Sequence, residues 1–302
     1  MTVLKDISLE ARNLAAVFEA TGAEVVELDF LQISNVLLDL YGEDIRGRAF
    51  ITNDPVYGEM MLRPDFTIPI VERHMANNVS PARYTYSGKV FRRQEEFPDR
   101  PREFLQVGYE IFDGANPEKA DAEVFSLVNE ALSGIQVRIA TGDIGILMAA
   151  VRSLTTTNTR KKALLRHIWR PHRFRTLLNQ YSGLSSKLKP NQDLEGYNKL
   201  LDKFQAVGSR KVQEIKERLR QIKFESETDP LDPAEVKILD ELLSLKDRCT
   251  IAHNKLENLS KKMPGIESTV DNFATRLDFL KKNGIKIERL DFEGSYGRTS
   301  ME

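Results

Sequence analysis

The segment Ala82–Asp113 contains the residues whose types and spacing best suit chemistry. Its pattern predicts two strands joined by a loop rich in arginine and proline. In the second strand, residues 104–112, successive side chains point to opposite faces. One face carries Gln106, Gly108 and Glu110, and Gln106 lies about 13 Å from Glu110 along the strand. That spacing suits a small ligand held between long side chains. The other face carries residues that can pack into a core: Leu105, Val107, Tyr109 and Ile111.

The loop between the two predicted strands adds a group of arginines: Arg92, Arg93, Arg100 and Arg102. The planar fork of a guanidinium group suits carboxylate or phosphate. Alternation alone favours a simpler interpretation, a two-stranded ribbon with one solvated face and a solvated loop, because one-sided antiparallel strands are common. The order of the residues favours a specific site instead.

That order resembles motif 2 of class II aminoacyl-tRNA synthetases, and within that class it looks like the histidyl branch. Three groups carry the resemblance: Phe91-Arg92-Arg93-Gln94, Arg100-Pro101-Arg102-Glu103-Phe104 and Gln106-Val107-Gly108-Tyr109-Glu110. Upstream, Leu-Arg-Pro-Asp-Phe-Thr at residues 62–67 resembles the Leu-Arg-Pro-Glu-x-Thr element with which this branch contacts histidine. The resemblance covers residues 1 to about 145 well and the rest only in outline.

Two departures from the synthetase pattern concern the catalytic half of the site. Synthetases of this branch have Phe-Arg-x-Glu, whose Glu helps to hold ATP, but Gln94 occupies that position here. They also have a C-terminal Arg-Gly-Leu-Asp-Tyr-Tyr, whose Arg acts on the activated acyl group. The comparable residues 294–299, Gly-Ser-Tyr-Gly-Arg-Thr, do not reproduce it. The amino-acid half of the site is retained: Asp65, Thr67, Gln106 and Glu110.

Retained ligand contacts without catalytic groups predict a sensor. The family with this pattern is the ATP phosphoribosyltransferase regulatory subunit, which the phrases at residues 41–46 and 63–69 also resemble. The resemblance implies no catalytic residue, no cofactor and no metal. It implies a histidine site at four residues: Asp65, Thr67, Gln106 and Glu110. Further carboxylate or phosphate contacts are expected from Arg92, Arg100 and Arg102.

The same resemblance implies the partners. They are the short-form ATP phosphoribosyltransferase catalytic subunit, histidine as a small-molecule effector, and a second copy of this chain as a dimer within a hetero-oligomer. The favoured function is therefore a non-catalytic regulatory subunit in the first step of histidine biosynthesis. Two alternatives stay open, an active histidyl-tRNA synthetase catalytic core and an adaptor that binds RNA. Co-purification of a phosphoribosyltransferase subunit or of tRNA would distinguish them.

Composition sets wide bounds on these hypotheses. The chain has 302 residues, of which 41% are hydrophobic and 29% charged, typical of a soluble globular protein. The net charge of −1 gives no overall attraction to nucleic acid, which weighs modestly against an RNA-binding function. Cys249 is the only cysteine, so no internal disulfide forms. The N-terminal residues lack the apolar core of a signal peptide and no membrane-length apolar run occurs, which predicts a cytoplasmic protein.

Patterning along the chain predicts three stretches. Residues 1–145 form the first part of a synthetase-like domain, 146–265 a helical insertion, and 266–302 a return to the first domain that stops before the resembling family's domain is complete. Strands joined partly by hairpins, with helices at intervals, indicate an α+β fold with a mixed, largely antiparallel sheet of the class II synthetase type. A hairpin is expected around Asn53-Asp54-Pro55. The apolar residues Ile285, Ile287 and Leu290 predict a strand that rejoins the first sheet.

The helical stretch has an uneven distribution of charge. No Asp or Glu occurs from Ile144 to Gln192, whereas ten Lys and Arg do. Trp169 and Phe174 are interleaved with the densest basic residues: Arg160, Lys161, Lys162, Arg166, Arg170, Arg173 and Arg175. One hypothesis is an RNA-binding surface, on which phosphates meet basic groups and bases stack on aromatic rings. The favoured alternative is a basic helix face against an acidic partner surface, with both aromatic residues in the core, since charge runs usually solvate or pair.

Overall fold

The structure is a computed structural model, and it describes residues 2–35, 47–93, 99–184 and 212–295. The strands within these ranges are β1 (Glu24–Val25), β2 (Leu31–Ile33), β3 (Ile51–Asp54), β4 (Gly58–Leu62), β5 (Ala82–Phe91), β6 (Glu103–Phe112), β7 (Ala140–Thr141), β8 (Lys246–Arg248) and β9 (Asp291–Glu293). The helices with described bounds are α1 (Thr2–Glu19), α2 (Thr67–Asn77), α3 (Pro117–Ala131), α4 (Ile144–Ser153), α5 (Asn158–Arg166), α6 (Pro171–Tyr181), α7 (Val212–Glu227), α8 (Pro233–Ser244), α9 (Cys249–Lys262) and α10 (Glu267–Lys282).

The chain folds as two compact units. The first comprises Met1–Val137 and Thr275–Ile285, and the second comprises Arg138–Ala274 and Lys286–Glu302. The organisation into three stretches, 1–145, 146–265 and 266–302, remains a prediction. The expected mixed, largely antiparallel pairing is confirmed for the described strands, because four strand pairs are antiparallel and two are parallel. These strands form three three-stranded sheets.

The sheet of β1, β5 and β6 is the centre of the first unit. β5 and β6 pair without interruption from Ala82↔Phe112 to Phe91↔Glu103, and β1 joins β5 in parallel. This register places the even-numbered side chains of both long strands on one face and the odd-numbered ones on the other. The two faces can therefore be followed separately through the sequence.

Each face of this sheet has its own core. On the even face, Tyr84, Tyr86 and Val90 pack with Phe66 and Ile70 of the segment that forms α2. The odd face packs against α1 and α3 through residues that include Val107, Tyr109, Ile111, Phe18 and Leu127. The predicted apolar face of β6 is thus confirmed for Val107, Tyr109 and Ile111. Full burial of a large apolar side chain stabilises the fold by about 1.5–3 kcal/mol, so both cores hold β5 and β6 in place.

A hairpin of β3 and β4 confirms the turn expected around Asn53-Asp54-Pro55. The strands pair from Ile51↔Met61 to Asp54↔Gly58, and β2 adds to the other edge of β4. A carboxylate oxygen of Asp54 accepts the backbone N–H groups of Val56 at 2.7 Å and Tyr57 at 2.9 Å. Gly58 has φ +77°, a left-handed conformation that favours glycine. Side chain and backbone therefore both specify this turn.

The second unit is mainly helical. Asp143 caps α4 by accepting the Gly145 N–H at 2.7 Å, and Asp232 caps α8 by accepting the Ala234 N–H at 2.8 Å. Apolar residues along α8 and α9 are buried: Val236, Leu239, Leu242, Leu256 and Leu259. A small sheet in the order β7-β9-β8 completes the unit. No described helix is both long enough and apolar enough to cross a membrane.

The predicted strand at residues 285–290 was wrong in both its position and the sheet that it joins. Ile285, Ile287 and Leu290 do not form a strand, because this segment contains turns. In one of them the Leu290 N–H donates a hydrogen bond to the Ile287 carbonyl. The strand begins at Asp291 instead and pairs with β7 and β8, not with the β5–β6 sheet. Leu290 is 3% exposed, so its apolar character reflects packing in the core. A short series of apolar residues does not by itself distinguish a strand from a turn whose apolar side chains are buried.

Candidate functional site

The loop before α2 is fixed by a buried arginine. The Arg63 side chain is buried, its Nε donates to the Lys89 carbonyl at 2.8 Å, and its guanidinium carbon lies 4.0 Å from the centre of the Phe66 ring. It also donates to the carbonyl of Leu28. Burial lowers the pKa of Arg63. Because Arg63 ties three parts of the first unit together, the residues that follow it have a defined position.

Asp65 and Thr67 follow this arginine and start α2. The Asp65 carboxylate accepts the Thr67 N–H at 3.1 Å, which satisfies one of the N–H groups that a helix start leaves unpaired. The Thr67 side chain then hydrogen-bonds to Glu110. Thr67 is exposed and Asp65 is half-buried. The helix start thus presents a hydroxyl and a carboxylate beside β6.

Glu110 lies opposite Tyr84 on the even face of the β5–β6 sheet. Burial raises the pKa of Glu110, the Thr67 hydrogen bond lowers it, and the nearby charge of Asp65 raises it further. The net pKa is raised because burial and the like charge of Asp65 both disfavour the ionised form of Glu110. An added cation would stabilise both carboxylates.

Gln106 reaches this group through a tyrosine. Its side-chain nitrogen lies 3.5 Å from the hydroxyl of Tyr86, and its side-chain oxygen is buried with no hydrogen-bond partner within the described part of the chain. Tyr86 stacks on Phe66 with ring centres 4.2 Å apart. Burial raises the pKa of Tyr86, and the charges of Glu110 and Asp65 add to the effect. The Tyr86 hydroxyl therefore lies in the field of both carboxylates and stays protonated.

Gly108 allows this arrangement of the tyrosine. It pairs with Tyr86 across the two strands, and a Cβ atom at residue 108 would lie 2.2 Å from the Tyr86 ring. No real Cβ approaches a neighbouring atom so closely. A glycine at this position therefore lets the ring lie across β6 between Gln106 and Glu110.

The arginines predicted to assist are placed differently from one another. The Arg92 side chain donates to the Pro64 carbonyl at 2.8 Å and lies over the Phe104 ring at 5.3 Å. Its charge lowers the pKa of Tyr86, which places it within electrostatic reach of the group. Arg100 and Arg102 are both exposed, and the Arg102 carbonyl accepts the Arg92 N–H at 2.9 Å. Described contacts thus join Arg92 to this part of the sheet.

We call Asp65, Thr67, Tyr86, Gln106 and Glu110 the acidic strip. Four of its five members were predicted from sequence, and the structure brings those four together. Tyr86 was missed, because its place depends on pairing with Gly108 of the neighbouring strand. The strip offers two carboxylates, two hydroxyls and an unsatisfied amide oxygen, all of which can accept N–H groups. Such a set suits a small cation with several N–H donors, such as an ammonium group together with an imidazole.

Two sequence features that bear on catalysis lie outside this geometry. Gln94 falls outside the described residues, as do residues 296–299 of the segment that departs from the synthetase pattern. Within the described ranges, no group of three or more His, Cys, Asp or Glu side chains could hold a metal ion.

Comparison with known proteins places this geometry in a family context. The model of the histidyl-tRNA synthetase family matches residues 4–238. The ATP phosphoribosyltransferase regulatory subunit of Rhizobium rhizogenes is 28% identical over 317 residues, which cover 98% of this chain and 84% of that protein. The protein of the same name from Rhizobium etli is 29% identical over 316 residues, 95% of this chain and 82% of that protein.

Solved structures share the fold. A Bacillus halodurans protein described as an ATP phosphoribosyltransferase regulatory subunit/histidyl-tRNA synthetase aligns with a TM-score of 0.63 and 20% identity, over 98% of this chain and 67% of that one. A histidyl-tRNA synthetase from Nostoc sp. aligns with a TM-score of 0.61 and 15% identity, over 97% of this chain and 58% of that one. The predicted class II synthetase-type α+β fold is therefore confirmed.

Proposed function

The chain belongs to the histidyl-tRNA synthetase family, and from this premise we propose that it is the regulatory subunit of an ATP phosphoribosyltransferase, a complex that carries out the first step of histidine biosynthesis. It would support a short catalytic subunit and sense histidine. The names of its relatives support the regulatory function. The observation that supports histidine as the ligand is the acidic strip.

The acidic strip suits histidine in charge and in hydrogen bonding. A free histidine brings an ammonium group and an imidazole N–H, and Asp65 and Glu110 supply two carboxylates for them. The buried oxygen of Gln106 needs an N–H donor, which either group can give. Arg92 lies near enough to neutralise the ligand carboxylate. Arg100 and Arg102 would approach it only from the exposed loop, so their contribution is the weaker part of this proposal.

Regulation requires that histidine bind more tightly to one state of the complex than to another. The acidic strip joins the first turn of α2 to the middle of β6, so a ligand there would change how the helix start and the strand are held together. We infer that histidine stabilises the less active state. Self-association of this chain as a dimer within the hetero-oligomer belongs to the same proposal.

The chain would carry no aminoacylation activity. Gln94 replaces the Glu that helps to hold ATP in the resembling synthetases, and residues 294–299 lack their C-terminal arginine motif. Loss of groups that stabilise charge at the reacting centre costs several kcal/mol of transition-state stabilisation. The second candidate function, a histidyl-tRNA synthetase catalytic core, is favoured by the family model alone.

Reconstitution with a short ATP phosphoribosyltransferase catalytic subunit tests the first function. The mixed proteins should elute together from a size-exclusion column, ahead of either alone, and the complex should form phosphoribosyl-ATP faster than the catalytic subunit alone. Histidine should inhibit that reaction. Separate elution at micromolar concentrations would contradict the proposal.

Pyrophosphate exchange distinguishes the second function. With ATP and histidine, the purified chain should exchange labelled pyrophosphate at the background rate. Exchange well above background that depends on histidine would assign the chain to the synthetases.

A further inference from the structure

The fold uses part of the basic stretch at residues 160–175 for its own stability. Arg160 is 4% exposed and donates to the carbonyls of Asp229 at 2.8 Å and Thr228 at 3.3 Å. Arg175 forms an ion pair with Asp240. Phe174 is fully buried. These residues hold the second unit together and leave the rest of the stretch for another purpose.

Lys161 donates to the Arg152 carbonyl at 2.9 Å, and Lys162 is exposed. The other three basic residues of the stretch are Arg166, Arg170 and Arg173, which with Trp169 we call the arginine patch. All three arginines are exposed, and Trp169 is 42% exposed. They lie around one short turn between α5, which ends at Arg166, and α6, whose cap position Arg170 occupies; in this turn the Arg170 N–H donates to the His167 carbonyl at 2.9 Å. The pKa of His167 is lowered by burial first and then by the charges of all three arginines. Within the described part of the chain, none of the three forms an ion pair.

The position of the arginine patch on its helices opposes stability. Arg170 precedes α6 at the cap position and Arg173 lies in its first turn, where the helix dipole is positive. That turn contains no acidic residue, and the Arg170 side chain makes no capping bond. Basic groups at a helix start are unfavourable, and their mutual repulsion adds to this. An acidic group from outside would remove both penalties.

The observations favour an acidic protein surface over RNA as that group. An RNA platform needs aromatic rings interleaved with the basic residues, but Phe174 is buried and only Trp169 remains exposed within this part of the chain. Trp and Arg are also the residues that dominate the binding energy at protein interfaces. Three arginines around one exposed tryptophan therefore match an interface hot spot better than a track for phosphates.

We propose that the arginine patch of Arg166, Trp169, Arg170 and Arg173 is a docking surface for an acidic face of the catalytic phosphoribosyltransferase subunit. This inference rests on the proposed regulatory function. Carboxylates of the partner would pair with the arginine forks, and the apolar part of Trp169 would be covered at the centre of the contact.

Reversal of the patch charges tests this assignment. The variant Arg166→Glu/Arg170→Glu/Arg173→Glu is compared with a control in which three dispersed, exposed basic residues are changed in the same way, Arg12→Glu/Lys237→Glu/Lys286→Glu. Both variants have the same net charge, so a general electrostatic effect would appear in both. Affinity for the catalytic subunit is measured by calorimetry, and circular dichroism verifies that each variant is folded.

We expect the patch variant to bind the catalytic subunit at least ten-fold more weakly, with the control within two-fold of wild type. Trp169→Ala should also weaken binding while leaving the charge unchanged. Equal binding by the folded patch variant and the wild type would overturn the inference and leave the regulatory function intact. Failure of the wild type to bind would instead contradict the proposed function. If the patch variant keeps the complex but loses binding of a tRNA probe shown by wild type, the surface is an RNA site and the inference is wrong.

Discussion

Two carboxylates on opposite sides of the β5–β6 sheet have opposite environments. Glu123, on α3, accepts two hydrogen bonds from Arg83 at 2.7 Å each and one from the Tyr109 hydroxyl at 2.9 Å. These contacts lower the pKa of Glu123, and the hydrogen bonds from Arg83 contribute most. Burial and Asp65 raise the pKa of Glu110 on the other side, although Thr67 hydrogen-bonds to it.

The difference separates a structural carboxylate from one that we propose binds a ligand. Glu123 is satisfied by its own chain, so its charge stabilises the packing of α3 on the sheet. Glu110 is held beside a second carboxylate, and its charge acts on Tyr86, which Gln106 contacts. The side-chain oxygen of Gln106 has no partner in the described residues. That arrangement does not stabilise the fold, whereas the carboxylates would stabilise a bound cationic ligand. Each prediction below would break or sharpen this contrast.

The largest effect is expected from Arg83→Met. The substitution leaves the half-buried Glu123 without its two charge-assisted hydrogen bonds, so the free energy of unfolding should fall by about 2–3 kcal/mol. Arg73→Met is the control, since the Arg73–Glu24 pair is exposed and such pairs contribute about 0–1 kcal/mol. Urea denaturation of both variants measures the difference. Equal losses would mean that the Glu123 network is no more structural than a surface ion pair.

The next effect concerns histidine. Glu110→Ala should weaken histidine binding by about 1.5–3 kcal/mol, because it removes a hydrogen bond to a charged group. Glu103→Ala is matched to it, since Glu103 lies on the same strand but on the odd face, and histidine affinity should not change. Calorimetry with free histidine measures both. If Glu110→Ala binds histidine as wild type does, the effector site lies elsewhere.

A smaller effect is expected from Gly108→Ala. The new Cβ would collide with the Tyr86 ring, so either the ring or the strand must shift, at a cost of about 1–3 kcal/mol in unfolding free energy. Histidine affinity should fall as well, because the displaced ring lies between Gln106 and Glu110. Gly114→Ala is the control, since no atom lies near its added Cβ. Wild-type values for Gly108→Ala would show that Tyr86 does not occupy this position in solution.

The sequence predicted the even face of β6 well because local rules determine it. Alternation sends Gln106 and Glu110 to one side, and a helix start at Thr67 follows from its motif. Tyr86 could not be recognised by the same rules, since its position depends on pairing with Gly108 across 21 intervening residues. Its alternation in β5 indicates only which face it occupies.

Packing and pairing account for the predictions that failed. Leu290 and its apolar neighbours suggested a strand, but a strand also needs an edge to pair with, and the β7 and β8 edges lie opposite residues 291–293. The basic stretch likewise contained no local signal that would separate Arg160, which is buried, from Arg166, which is exposed. Tertiary contacts made that division.

The smallest effect is a difference in the pH dependence of stability between the two carboxylates. The folded-state pKa of Glu110 is raised above its ordinary value of 4.5, so the native state holds its proton more tightly than the unfolded state does. The stability that Glu110 contributes therefore falls as pH rises from 4.5 through the raised folded-state pKa. The folded-state pKa of Glu123 is lowered, so its contribution to stability is complete above pH 4.5 and is lost as pH falls through the lowered pKa.

At pH 7, Glu110→Gln should be slightly more stable than wild type and Glu123→Gln less stable. Both differences should narrow toward pH 4 in urea titrations, and histidine affinity of the wild type should fall over the same range as Glu110 becomes protonated. A Glu110→Gln variant that is less stable than wild type at pH 7 would show that the fold itself uses this charge.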